Sequence, residues 1–380
     1  MDTIGIAGAG LLGRLLAWRL SRAGHAVEVF DPGDAAPTFD GRGAAAFTAA
    51  GMLSPVAELD NAGPEVARLG LRSIGLWREI VAALPGAPFF SERGSLLLAH
   101  RADLGAAQRV LARLRTDAVE GLATPQPLDD AQLRDLEPAL FGIAHAWLLG
   151  GEAQIDTPAV MAALHQGARG VHWHWGEPVV ALTPGVLHLA RGRARHFDLV
   201  FDVRGVGARP LRDADRGPTP PLRGEDLGFT TQLRGEDLGF TPQIRGVRGE
   251  TVWLHAPGLG LTRPLRLLHP RHRVYIVPRP GDVVIVGASE VESEDRSPVS
   301  LKSAVELMAA AHSVLPALAE ARILRLDRNL RPALPDHEPH TEVRPGLVRI
   351  NGLFRHGWLL APALVDDALA ALARCEGVAA

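Results

Sequence analysis

The 380-residue sequence holds a single cysteine, Cys375. No intrachain disulfide can form, and a lone thiol near the chain's end fits an inert residue in a reducing compartment. No apolar stretch reaches the roughly 18 residues that a membrane span needs. The first residues lack the basic stretch, apolar segment and small-residue cleavage site of an export signal, and strand-like sequence begins at Thr3. These absences lead us to expect a cytoplasmic protein with no transmembrane segment. An excess of charge is missing too: 40 Lys and Arg face 43 Asp and Glu, a net charge of −3. No basic run interleaved with aromatics occurs, which argues against nucleic acid as a partner. Tyrosine also occurs once, at Tyr275.

What remains is ordinary globular material, 47% apolar and 22% charged, long enough for about two domains. Thr3 to Ala7 reads as a buried strand. A helix follows from Leu11 to about Ala23, with Leu12, Leu15, Leu16 and Leu20 at helical spacing and Gly24 as its stop. Ala26 to Phe30 is the next strand. Helices are expected over Glu65 to Leu84, Asp103 to Arg115, Asp130 to Glu137, Leu301 to Leu315 and Leu364 to Cys375. A further helix should start at Pro158, capped by Thr157. Strands are expected at Leu96 to Ala99, Val179 to Thr183 and Leu199 to Val203, and in TVWLHA, RVYIVPRP and VVIVGAS between Thr251 and Ser289. Parallel-sheet signals thus lie at both ends of the chain, with antiparallel-looking strands between them. The expected fold class is α/β. A Rossmann-like nucleotide-binding domain is assembled from residues 1–85, 141–212 and 329–380, and a mainly antiparallel domain is inserted as residues 86–140 and 213–328.

An 11-residue tandem repeat interrupts this pattern: LRGEDLGFT at Leu222 to Thr230 recurs at Leu233 to Thr241. Two copies are too few for a solenoid. A duplication tolerated in a surface connection is expected, since doubling a loop costs only about 0.6 kcal/mol. Asp336, His337, Glu338, His340 and Glu342 match no zinc spacing, and Pro339 breaks any helical face, so we expect a polar loop and no metal site. His172 and His174 should share the exposed face of a strand whose tryptophans, Trp173 and Trp175, pack inward.

Gly8, Gly10 and Gly13 form GxGxxG between the first strand and the first helix. The first glycine makes the turn, the second lets backbone approach a pyrophosphate, and the third lets the helix pack on the sheet. The helix N-terminus offers N–H groups and a positive dipole end to the phosphates. Asp31, at the end of the second strand, suits ribose hydroxyls and disfavours a 2′-phosphate. The pattern says dinucleotide; it does not separate NAD from FAD.

Four further segments carry a resemblance. They are AAAFTAAGMLSP (Ala44 to Pro55), VYIVPRPGDVVIVGAS (Val274 to Ser289), NLRPALPD (Asn329 to Asp336) and GLFRHGWLLAPAL (Gly352 to Leu364). In order and spacing the chain resembles the D-amino-acid-oxidase superfamily of flavoproteins and, within it, the glycine oxidases of thiamine biosynthesis. The resemblance implies FAD. It places Leu11 and Leu12 in the phosphate turn, Asp31 and Pro32 at the ribose, and Val179 by the adenine. Ala45, Ala46, Ala50, Gly51 and Met52 would run beside the flavin. Leu353, Phe354, Arg355, His356, Gly357, Trp358 and Leu359 would close on the isoalloxazine. Arg331 would clamp the substrate carboxylate, with Tyr275 and Arg355 helping to hold the substrate.

The implied reaction oxidises a small amino acid to an imine and then an oxo acid, with molecular oxygen as the second substrate and hydrogen peroxide as product. The chemistry of the clamp is sound, because a planar guanidinium meets a carboxylate through two parallel bonds. Three features depart from the family's pattern: the second flavin loop has Leu353 where a histidine is usual and His356 where an asparagine is usual, DHEPHTE follows Pro335 in place of an Asp-Gly-x-Pro-type turn leading to a strand, and the LRGEDLGFT segment is duplicated. Sarcosine, another small amine or a D-amino acid stays open as substrate, a quinone as acceptor, and a flavin-binding protein without catalysis as a further class. Homo-oligomerisation is left open as well.

Overall fold

The computed structural model describes residues 1–116, 119–140, 142–209, 243–268 and 273–378. Both copies of the LRGEDLGFT repeat, and the side chain of Cys375, lie outside the described residues. Two large sheets organise the rest. The first has six strands in the order His340–Arg344, Leu347–Asn351, Leu199–Asp202, Thr3–Ala7, Ala26–Asp31 and His172–Trp175. The last five run parallel, and the His340–Arg344 edge strand closes an antiparallel hairpin. The polar loop expected over DHEPHTE therefore ends at Pro339, and His340 to Glu342 belong to this strand, paired with Leu347–Asn351. The central strands are buried on both faces, and their Ile4, Ile6, Val27 and Val29 are near-fully enclosed, as parallel strands with covered faces should be. Helices Leu11–Arg22, Thr157–Gly167 and Gly357–Val378 cover one face, backed by Pro64–Ala83. A small antiparallel sheet over Val179–Thr183, Val186–Leu189 and Ala194–His196 covers the other.

The second sheet has eight strands in the order Arg322–Ala333, Arg245–His255, Val283–Gly287, Arg273–Arg279, Leu265–Leu268, Ser95–Ala99, His145–Leu149 and Gln126–Leu128. Only Leu265–Leu268 beside Ser95–Ala99 is parallel. Helix Leu301–Val314 covers one face. His145–Leu149 and the end of Arg322–Ala333 hydrogen-bond within this sheet, so strand pairing crosses the boundaries expected at residues 140/141 and 328/329.

Several elements differ from expectation. Thr157 is not the cap of its helix. Asp156 is, its side chain accepting from Ala159 N–H at 3.2 Å, while the Thr157 hydroxyl donates to Ala49 C=O at 2.9 Å. The last helix starts at Gly357, well before Leu364, and carries Pro362 inside it. Proline has no N–H to give to the carbonyl of Trp358 four residues back. The Trp77 indole N–H from helix Pro64–Ala83 donates to that carbonyl instead, at 2.7 Å. Trp173 and Trp175 do pack on the core, stacked 5.5 Å apart, and His172 is exposed. His174 is half-buried, however, stacked on Phe30 and 2.7 Å from Glu28.

Candidate active site

The turn at Gly8 needs glycine on two counts. Its φ is +105°, and a Cβ there would lie 2.8 Å from Val203 C=O. Gly13 sits where the helix crosses the turn, and a Cβ would lie 1.8 Å from Gly8 C=O. Gly10 is the helix N-cap with no side-chain cap, and no acidic residue occupies the first turn. The helix therefore presents uncompensated N–H groups to the space in front of it. Asp31 braces this turn: its carboxylate accepts from Ala9 N–H at 2.7 Å and Gly33 N–H at 2.8 Å. A carboxylate accepting two such bonds keeps lone pairs for hydroxyl donors.

The small-residue segment forms a short 3-10 turn at Ala45–Phe47 and a strand at Met52–Leu53. Gly51, at φ +68°, is close-packed, with a virtual Cβ 2.2 Å from Ile155 C=O. The Trp358 indole N–H donates to Ala46 C=O at 3.1 Å, which fastens the C-terminal loop to this segment. That loop is held at both ends. Gly352 has φ +76°, and Phe354, at φ +45°, takes a conformation uncommon for a non-glycine residue. Phe354 N–H donates to Pro332 C=O at 2.8 Å, bringing Arg355 beside the strand that carries Arg331.

These pieces wall one cavity of about 1100 Å³, above the roughly 300–1,000 Å³ of small-ligand sites. Gly8, Gly10, Leu11, Leu12, Asp31, Pro32 and Val179 line one end. Ala45, Ala46, Ala50, Gly51, Met52, Leu353, Phe354, Gly357 and Trp358 also line it, as do Tyr275, Arg331 and Arg355. Three expected residues do not reach it. Gly13 acts by packing, Leu359 packs against Gly70, and His356 is buried behind the wall beside Glu58.

At the far end the eight-stranded sheet supplies the side chains. Pairing sets Arg266, Tyr275, Gly287 and Thr251 in one row across four strands, so their side-chain positions share the cavity face. Gly287 makes room for the phenol, since a Cβ there would lie 2.6 Å from Tyr275 Oη. Gly249 does the same for Arg331, whose guanidinium would sit 2.3–2.5 Å from a Cβ. Arg331 donates to Ser289 C=O at 3.2 Å and Arg248 C=O at 3.4 Å. Among the described residues no carboxylate lies within ion-pair distance of it. Burial lowers its pKa and raises that of Tyr275, so the pair presents a guanidinium and a neutral phenol.

Among the cavity residues that sequence reasoning missed are Glu58, Arg266 and Glu290. Glu58 ends the short helix Pro55–Glu58. Its Oε2 is 3.4 Å from both Arg355 Nε and His356 Nδ1, and its Oε1 is 3.5 Å from Arg266 Nη2. Arg355 Nη1 is 3.6 Å from Glu290. Burial pushes the Glu58 carboxyl up, yet Arg355, His356 and Arg266 together hold it at about 2. The alternation in LRLL, with Leu265 and Leu267 buried on the opposite face, was the available signal for Arg266.

Residues 3–371 match the family model described as FAD dependent oxidoreductase. The chain belongs to this family. FAD is accordingly its cofactor, and the wall suits one: an uncapped helix N-terminus with a glycine cradle at one end, small apolar residues beyond it. A Rhizobium etli protein bearing the name thiamine biosynthesis oxidoreductase ThiO is 33% identical over 363 residues, 95% of this chain and 94% of that protein. The glycine oxidase of Bacillus licheniformis is 28% identical over 368 residues, covering 95% of this chain and 90% of its own length. The crystal structure of glycine oxidase from Geobacillus kaustophilus superposes with a TM-score of 0.74 at 22% identity, covering 97% of this chain and 94% of that one. The flavoenzyme is thus an oxidoreductase of glycine oxidase and ThiO type.

Proposed function

We propose that the chain oxidises glycine or a similar small amino acid, with oxygen as electron acceptor, in thiamine biosynthesis. The observation that carries this is the continuity of one cavity from the glycine turn to Arg331 and Tyr275. Gly8, Gly10, Leu11 and Leu12 would meet the pyrophosphate, Asp31 and Pro32 the ribose, and Val179 the adenine. The Ala45 to Met52 segment and the Leu353 to Trp358 loop would flank the isoalloxazine. When bound, FAD supplies a two-electron acceptor for the substrate's Cα–H bond and passes the pair to oxygen, giving hydrogen peroxide and an imine that water hydrolyses to an oxo acid and ammonia.

The chain's own part is to bind and orient. Arg331 has no carboxylate within ion-pair distance among the described residues, so the substrate's carboxylate takes that place through paired N–H donors. Tyr275, kept neutral by burial, donates its O–H to the same carboxylate. Arg355, anchored by Glu58 and Glu290, covers the bound substrate from the loop. Names of the relatives support the choice of glycine and of the pathway.

The test is anaerobic titration of the purified holoprotein with glycine, sarcosine and D-alanine. Bleaching of the visible flavin band is expected, strongest with glycine, followed by peroxide release when air is admitted. A band that persists with all three would overturn the assignment. Bleaching without peroxide would shift the electron acceptor from oxygen to another oxidant.

A further inference from the structure

Four arginines bring their charge to bear on the Tyr275 hydroxyl: Arg331, Arg266, Arg355 and Arg279. Arg279 is buried outside the cavity wall and donates to Gln154 and to Pro278 C=O. The other three line the cavity. Left alone, three guanidiniums at one end of a cavity would favour a ligand with several negative charges. Two carboxylates reduce that charge. Glu290, with its side chain 48% exposed, pairs with Arg355 and also acts at longer range on Arg331. Glu58 is buried and meets both Arg355 and Arg266. His356, the remaining neighbour of Glu58, has its pKa lowered by burial and adds no full charge at neutral pH. Asp60, also on the wall, pairs with Arg113 and acts on Arg355 more weakly than Glu58 and Glu290 do. Among these three guanidiniums and two carboxylates one positive charge is in excess, and Arg331 is the guanidinium with no ion pair among the described residues.

We propose that Glu58 is the specificity-determining residue that limits this site to substrates with a single anionic group. This rests on Arg331 holding the substrate carboxylate. Glu58 is suited to the task because it is shared. One fixed carboxylate ties up the two guanidiniums that would otherwise recruit a second anionic group. Glu290, half in water, is screened and acts more weakly. Amino dicarboxylates and aminophosphonates are the substrate classes that Glu58 turns away. Its ionised state persists through neutral pH, since its carboxyl is held at about 2.

The experiment compares acetate with malonate as ligands of the oxidised holoprotein, read by perturbation of the flavin spectrum rather than by turnover. The native protein should bind malonate no more tightly than acetate. In Glu58→Gln, which keeps the shape and removes the charge, the preference for malonate over acetate should rise by about tenfold or more. Glu58→Asp should restore the native ratio. A ratio in Glu58→Gln within about twofold of native would overturn the proposal, because a merely structural role would not distinguish one charge from two. If Glu58→Gln does not retain flavin, Arg266→Gln decides. It makes the site one charge more negative, so acetate should weaken by about tenfold while uncharged acetamide stays unchanged, and equal effects on both overturn the proposal. Native protein that binds neither carboxylate removes the Arg331 clamp itself. Native binding with an unmoved ratio removes only the role of Glu58.

Discussion

At the dinucleotide end, the cavity is walled by backbone. Gly8, Gly10 and Gly13 contribute no side chains, and Asp31 braces the same turn through two backbone N–H groups while keeping lone pairs for hydroxyls. At the substrate end, the wall is charged side chains on separate elements: Glu58 from a short helix, Arg266, Tyr275 and Arg331 from three strands, Arg355 from a loop. The first end depends mainly on shape within about thirty residues of chain, the size of a βαβ-type unit, with Val179 added from a distant strand. The second depends on a charge balance among residues that meet only in the folded state. Substitutions should therefore fail in different ways at the two ends. Changes at the first should cost flavin and fold together. Changes at the second should cost substrate while flavin remains.

Gly13→Ala is the severest way to test this contrast. A methyl group 1.8 Å from Gly8 C=O must push helix from turn, and a loss of about 3 kcal/mol of stability is expected. The protein should purify without flavin and with a lowered melting temperature; full flavin content would break the contrast. Arg331→Ala comes next. It should keep its flavin and lose about 1.5–3 kcal/mol of substrate binding, seen as a raised KM for the amino acid. An unchanged KM would remove the clamp.

Trp77→Phe lies between the ends. It leaves the Trp358 carbonyl without a donor inside the helix that bears Pro362, at a cost of about 1–3 kcal/mol in unfolding free energy by denaturant titration. Because Trp358 also ties Ala46, flavin affinity should fall with it. Tyr275→Phe should be milder, about 1 kcal/mol, confined to substrate affinity in a spectral titration.

The smallest effect concerns pH. The Glu58 carboxyl falls from 4.5 to about 2 on folding. A lowered folded-state pKa means stability that is present above 4.5 and fades as pH drops through about 2. The stability gap between native protein and Glu58→Gln should hold constant above pH 4.5 and narrow below it. A gap that instead widens in acid would contradict the ionised state of Glu58.

The same contrast explains what could be read before folding. The strand, turn and helix from Thr3 to Arg22 follow from local rules, and they appear where expected. So do Pro64–Ala83 and Leu301–Val314, within a residue of expectation. The last helix was read too short because Pro362 reads as a breaker until Trp77, far away in sequence, supplies the missing donor. Strand Leu265–Leu268 was missed because four residues between Pro264 and His269 carry little pattern of their own. Arg266 was missed with it. Glu58 had no local signal at all, since its importance comes from Arg266 and Arg355 arriving beside it. Gly249 and Gly287 were legible in principle, because glycine inside a strand marks a close approach, and here each makes room for a candidate substrate-binding side chain.

The distribution of the cavity wall along the chain bears on how the protein is made. Its first wall residue, Gly8, leaves the ribosome more than three hundred residues ahead of Arg355, Gly357 and Trp358. The parallel strand Leu347–Asn351 and its hairpin partner are equally late. A nascent chain can form the glycine turn long before it can enclose anything, so enclosure of the cofactor has to wait for the Leu353 to Trp358 loop. A transcript cut short ahead of Gly357 would yield a chain with the dinucleotide turn intact and no closed chamber in which to keep a flavin.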